Sequence, residues 1–61
     1  MIAIKFSTTN SSFDNFKEEI DYVLSQVIDN TKYLDNFDIK QEISLIDSNG
    51  NVIGKMIYKP E

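Results

Sequence analysis

The sequence predicts an α+β domain with the element order strand, helix, strand, strand. Three observations predict it. Large apolar residues alternate at period two over Ile2–Phe6, recur at helical spacing from Phe13 to Ile28, and alternate again on either side of a turn signal, Asp47-Ser48-Asn49-Gly50-Asn51.

In Ile2-Ala3-Ile4-Lys5-Phe6 the large residues fall on one side of an extended chain, so Ile2, Ile4 and Phe6 are expected to face the core. Residues 7 to 12 then offer side chains that hydrogen-bond their own backbone. Ser11 followed by Asp14 reads as a helix N-cap with an acidic first turn, which starts the helix near Ser12. The Asn10-Ser11-Ser12 match to a glycosylation sequon is read as the same helix-start chemistry.

Placed at 100° per residue, Phe13, Phe16, Ile20, Val23, Leu24, Val27, Ile28 and Leu34 fill one arc of roughly 140°, the face expected to pack on a sheet. Acidic residues gather toward the start and Lys32 stands toward the end, as the helix dipole favours. Asn30 or Asn36 is expected to end the helix in the left-handed conformation.

From Phe37 to Ile46 the period returns to two, with Phe37, Ile39, Ile43 and Leu45 inward and Gln41 a polar exception among them. Val52 to Tyr58 is the second arm of the hairpin and Pro60 ends it. The turn admits two registers. A two-residue turn at Asn49-Gly50 puts Val52, Met56 and Tyr58 on the face of Ile43 and Leu45, whereas a type I turn over Asp47–Gly50 with a glycine bulge puts Ile53 and Ile57 there. Strand up, helix down, strand up and strand down let the third strand sit between the other two, giving a mostly antiparallel sheet of order 1-3-2 with the helix on one face.

With 61 residues the chain has room for one small domain, 1–61, whose core alone supplies little stability. Cysteine and histidine are both missing, which removes disulfides, thiolate metal sites, thiol catalysis and imidazole acid–base chemistry. No catalytic residue, metal ligand or cofactor site is expected, and an enzyme is not. Asp38 and Glu42 share a strand face, but it is the polar one, where solvent keeps both ionised. Residues 47–51 resemble a calcium loop only faintly, since glycine comes too early and Tyr58 stands where the bidentate glutamate belongs. With no long apolar run for a signal peptide or a bilayer span, a cytoplasmic protein is expected.

All six basic residues are lysines and the net charge is -4, so direct nucleic-acid binding is disfavoured. Residue usage rich in Ile, Asn, Lys and Asp fits an A+T-rich coding sequence, such as that of a phage or mobile element.

Two surfaces stand out as candidates for a partner. Opposite the apolar arc of the helix, Tyr22 and Tyr33 lie with Glu18, Gln26 and Asp29, a set suited to a protein partner. Residues 12 to 36 also carry the whole net charge, so this acidic helix is expected to fit a basic groove, for example that of a nucleic-acid enzyme. The plainer alternative is a solvated helix face.

The back of the sheet is the second surface. Ile46 is expected there with either Val52, Met56 and Tyr58 or Ile53 and Ile57, as the interface of a homodimer. The function expected is therefore a non-enzymatic protein-binding module, an inhibitor or regulator of a host defence or nucleic-acid enzyme. The alternative is a small nucleic-acid-binding or transcription-associated protein using Lys5, Lys40, Lys55, Lys59 and Tyr58 on the sheet.

Overall fold

A computed structural model describes residues 1–34 and 38–61, with Tyr33 described by its backbone alone. Phe37, expected to face inward, and Asn36, a candidate helix end, lie outside the described residues. Strand β1 (Ile2–Phe6) leads through a 3-10 turn, Ser11–Asp14, into helix α1 (Phe16–Asn30). After a second short turn, Thr31–Tyr33, come β2 (Gln41–Ile46) and β3 (Val52–Tyr58). The sheet is wholly antiparallel in the order β1-β3-β2, as the chain directions require.

The start of the helix differs from the sequence reading. Asn10, one residue before the expected cap, accepts from the Ser12 N–H at 2.8 Å, and the chain breaks at Asn15 before the α-helix begins. The cause is the hairpin turn, where the Asp47 carboxylate takes the Asn10 amide and the Ser12 hydroxyl and holds this segment in a tighter winding. At the other end Asn30 stays right-handed. The Thr31 N–H and hydroxyl close the helix on its last carbonyls instead, with Oγ1 donating to Ile28 O at 2.6 Å.

Strand β2 begins at Gln41, four residues later than the alternation suggested. Its ladder to β3 runs from Ile46 opposite Val52 to Gln41 opposite Tyr58. One step further, Ile39 would face Pro60, which has no N–H to give, so the pairing stops and Ile39 is exposed.

The hairpin takes its turn from one predicted alternative and most of its register from the other. Gly50 N–H donates to Asp47 O at 3.0 Å and Gly50 has φ 85°, so a type I turn over Asp47–Gly50 ends in a glycine bulge. That bulge alone would have put Ile57 with Leu45. A second irregularity, between Leu45 and Ile46, leaves Ile53 as an extra residue and restores the phase. Met56 consequently faces Ile43, and Tyr58 faces Gln41.

Phe13, Val23, Leu45 and Met56 form the buried core, with Phe6, Ile20, Val27 and Ile53 packed around it. The helix lies over β2 but rotated from its predicted seat. Val23 points straight down, while Glu19 and Gln26, both polar, turn inward. Leu24 and Ile28, expected in the core, remain 43% and 68% exposed.

Hydrogen bonding explains the rotation. Because Asp47 bonds across to Asn51, the alternating ladder points the N–H and C=O of Ile46 away from β3, off the edge of the sheet. The Gln26 amide meets both groups, accepting from Ile46 N at 2.9 Å and donating to Ile46 O at 2.8 Å. Glu19 reaches Ser48 in the same way, its carboxylate accepting from the backbone N–H and the hydroxyl at 2.7 Å each. Gln26→Ala should therefore cost about 1–2 kcal/mol in urea unfolding, while Ser25→Ala on the outer face should change stability by less than about 0.5 kcal/mol. Equal midpoints for the two variants would show that the helix is not held by this edge.

Candidate binding surfaces

Three surfaces remain after the fold has used its core. The first is the outer stripe of α1. Glu18, Tyr22, Ser25 and Asp29 are spaced by four, three and four residues, which places them on one line, and all four are exposed. Among the described residues the side chains of Glu18, Tyr22 and Asp29 make no hydrogen bond or ion pair. Gln26, predicted to join them, does not, because its amide caps the edge of β2. The Tyr33 side chain lies outside the described residues. Ser25, not among the residues expected from the sequence, joins the line through its spacing of three from Tyr22 and four from Asp29.

The second surface is the back of the sheet, away from the helix, and it is more polar than the sequence suggested. Lys55 Nζ stands 3.6 Å from Glu42 Oε1 across β2 and β3, and Ser44 lies beside them. Ile57 remains there with Ala3, and Val52 pairs opposite Ile46. Met56 does not belong to this face, being 1% exposed beneath the helix, and Tyr58 shares the helix side with it. Ile53, at the bulge, packs against the core and also lines the open groove on this face. A shallow groove of about 490 Å³ runs over Ala3, Gly54 and Ile57, bordered by Lys5, Lys55 and Lys59. The cavity thus forms on the open face and leaves the core intact. Tyr58 is on the other side of the sheet from these lysines, and Lys40 lies before β2.

The third surface is on the helix side, over β1. Ser7 N–H donates to Ile53 O and Lys59 N–H to Met1 O, both at 2.9 Å, so odd-numbered residues of β1 bond β3. Ile2 and Ile4 turn their backbone groups outward on an open edge. Their side chains share the face of Met56 and Tyr58, yet the helix stands too far over to cover them, and they are 51% and 42% exposed. Core positions in the sequence reading, they are surface in the structure.

One buried polar cluster belongs to the fold. Asp47 is fully buried in the hairpin turn, and its carboxylate accepts from the Asn10 amide, the Ser12 hydroxyl, the Asn49 and Asn51 N–H groups and the Asn51 amide. The bond from Asn10, followed by those from Asn51 and Ser12, holds the carboxyl far below the usual range, against the opposing effect of burial. Every oxygen lone pair is directed at the chain itself, so the cluster ties the turn to the segment before the helix. Among the described residues no group of three or more carboxylates could hold a metal ion, and no helix is long and apolar enough to cross a membrane.

Compared with protein-family models, curated proteins and solved structures, the chain matches none.

Proposed function

We propose that this chain is a non-enzymatic protein-binding module, a homodimer that presents Glu18, Tyr22 and Asp29 to a basic surface of its partner. The observation that supports the reading is the outer stripe of α1: an aromatic ring between two carboxylates, aligned, exposed and unused by the fold. Glu19 and Gln26 are nearby polar residues of similar chemistry, and both are committed to the hairpin. What stays outward is thus a selected part of the helix's polarity. A tyrosine flanked by carboxylates suits a cationic groove, where the ring covers area at little entropic cost and the charges steer encounter. The acidic helix and the A+T-rich residue usage support the most specific form of the proposal, a phage or mobile-element inhibitor of a host defence or nucleic-acid enzyme.

A second reading draws on the lysine-bordered groove. Lys5, Lys55 and Lys59 over an apolar floor suit an anion with a flat or apolar body, such as a single-stranded nucleic acid. Tyr58 faces away from these lysines, so that reading loses the aromatic platform the sequence offered it.

Affinity capture from a lysate of the encoding organism separates the two. A variant combining Glu18→Lys, Tyr22→Ala and Asp29→Lys should lose the captured protein while its unfolding midpoint stays within about 0.5 kcal/mol of the parent. Protein capture that survives these changes removes the helix stripe from consideration. Nucleic acid recovered only at low salt would transfer the function to the lysine groove.

A further inference from the structure

We infer that the uncovered corner between α1 and β1 docks the same corner of a second copy, with the two β1 strands stacked face to face and Leu24 and Ile28 of each helix closing on the edge of the other chain's β1. The inference deepens the protein-binding reading and rests on it.

The corner follows from the rotation of the helix. Gln26 marks the side of α1 that faces the outer edge of β2, and at 100° per residue Leu24 and Ile28 both lie about 160° around from it. They therefore project from the side of the helix toward β1, Leu24 about 100° and Ile28 about 140° round from the downward-pointing Val23. Below them are Ile2 and Ile4, on the helix face of the sheet and uncovered. The result is an L: a floor of β1 side chains and a wall of helix side chains, with the open backbone edge of β1 at its tip.

Such a shape is complementary to itself under a two-fold rotation about an axis along the strands. Turned over, a second copy lays its own β1 on the floor of the first, at the roughly 10 Å spacing of stacked sheets, which is also the height at which the helix stands. Its strand edge then abuts the wall formed by Leu24 and Ile28. Each chain fills the other's vacancy with the same residues.

Area and charge favour this occupant. Ile2, Ile4, Leu24 and Ile28 leave on the order of 350 Å² of apolar surface open per chain, nearly half of the roughly 800 Å² that each side of a standard interface contributes. Lys17 and Asp21 continue the line of Leu24 and Ile28 toward the start of α1 and form the polar end of the wall. The isolated chain is also extended, with a radius of gyration of 12.3 Å where about 10.5 Å is usual for its length. In the stacked pair the helices sit at opposite ends, so two chains of charge -4 meet through their neutral parts and both acidic stripes face outward.

Simple edge pairing of two β1 strands serves less well. It would set the two helices over the outer strands of a six-stranded sheet, roughly 24 Å apart, against the 8–10 Å at which helices pack. Ile2 and Ile4 would remain in water.

The full chain at about 100 μM, enough to populate any dimer with a micromolar Kd, should sediment at twice its 7.0 kDa mass. Ile28→Glu should return it to 7.0 kDa with an unchanged circular dichroism spectrum, since this side chain is 68% exposed in the single chain. Because the natural chain has no cysteine, a mixture of Ile4→Cys and Ile28→Cys chains reports the packing directly. Under mild oxidation the Ile4→Cys homodisulfide should exceed the Ile28→Cys homodisulfide, because the two-fold axis sets Ile4 opposite its own copy and holds the helices apart. A monomeric wild type overturns the inference, as does a dimer indifferent to Ile28→Glu, and a lack of the Ile4→Cys homodisulfide overturns the stacked arrangement. The Glu18, Tyr22 and Asp29 triple variant should remain a dimer while losing its captured partner, so failure of the stripe and failure of the corner give different results.

Discussion

Gly54→Ala is expected to leave most of the chain unfolded at 25 °C. A Cβ at this position would lie 2.7 Å from Phe6 Cβ, 2.5 Å from Phe6 Cα and closer still to the Lys5 carbonyl oxygen. Two of these three neighbours are backbone atoms of the strand hydrogen-bonded to β3, so no side-chain rotation relieves the overlap. Overpacking in ordinary cores costs about 1–3 kcal/mol, and here relief requires β1 to part from β3. A small single core rarely supplies more than about 3–5 kcal/mol in all, so the loss approaches the whole stability. Gly50→Ala is the control. It meets no atom within 4 Å but must hold φ 85°, which costs about 1–2 kcal/mol by itself. Urea unfolding followed by circular dichroism should rank parent, Gly50→Ala and Gly54→Ala in falling order. A Gly54→Ala midpoint level with that of Gly50→Ala would mean that β1 is not pressed against the bulged strand.

The second large effect concerns Asp47 and acid. Its carboxyl is held far below its ordinary value in the folded chain and returns to about 4 when unfolded. A depressed folded pKa contributes stability that is complete above the unfolded pKa and drains away as pH falls toward the folded one. Stability from this group should therefore be flat from neutrality to about pH 5 and decline steadily below about pH 4. Asp47→Asn sets an amide NH₂ against donors from Asn10, Ser12 and Asn51, and it should be much less stable at pH 7. The difference between parent and variant, measured by urea titration from pH 7 to pH 2.5, should narrow only on the acid side of pH 4. A difference that does not change across this range would mean the carboxylate is not the charged centre of the cluster.

These two positions also show how far the sequence could be read. Strand order was legible because two parallel-directed strands leave room for a third between them, and the turn was legible from Asp47 to Asn51. An isolated glycine at position 54 inside a strand pattern is itself a sign of a bulge or close backbone approach. The Asn49-Gly50 pair signals the turn alone, whereas Gly54 marks the close approach of β1. The two bulges offset each other, which alternation cannot reveal, since each by itself reverses the faces and together they restore them. Asp47 announces its bonds to residues two and four places on. Its bonds to Asn10 and Ser12 span 37 and 35 residues and exist only once β3 is seated.

The helix was misplaced for a related reason. Its apolar arc was real, but a hydrophobic arc fixes orientation only if nothing polar competes for it. Gln26 and Glu19 compete, because each supplies what a particular backbone group of the hairpin lacks. The same two residues determine which surfaces remain. By drawing α1 toward β2 they expose Leu24, Ile28, Ile2 and Ile4 together, and by turning inward they thin the acidic stripe to Glu18, Tyr22 and Asp29. The exposed surfaces are the remainder of a structural choice, and hydropathy alone does not show the apolar corner beside β1.

The ends of the fold carry a mechanical implication. The Met1 amine donates to Lys59 O at 2.8 Å and stands 3.3 Å from Glu61 Oε1, so the first and last residues are neighbours across an antiparallel ladder. A load applied between them would act on one rung at a time, opening β1 from β3 as a zipper opens, and the rungs could never share it as they would if sheared along the strands. Whatever its resistance to heat or urea, the domain should yield to a weak pull at its termini, with β1 the first element to leave.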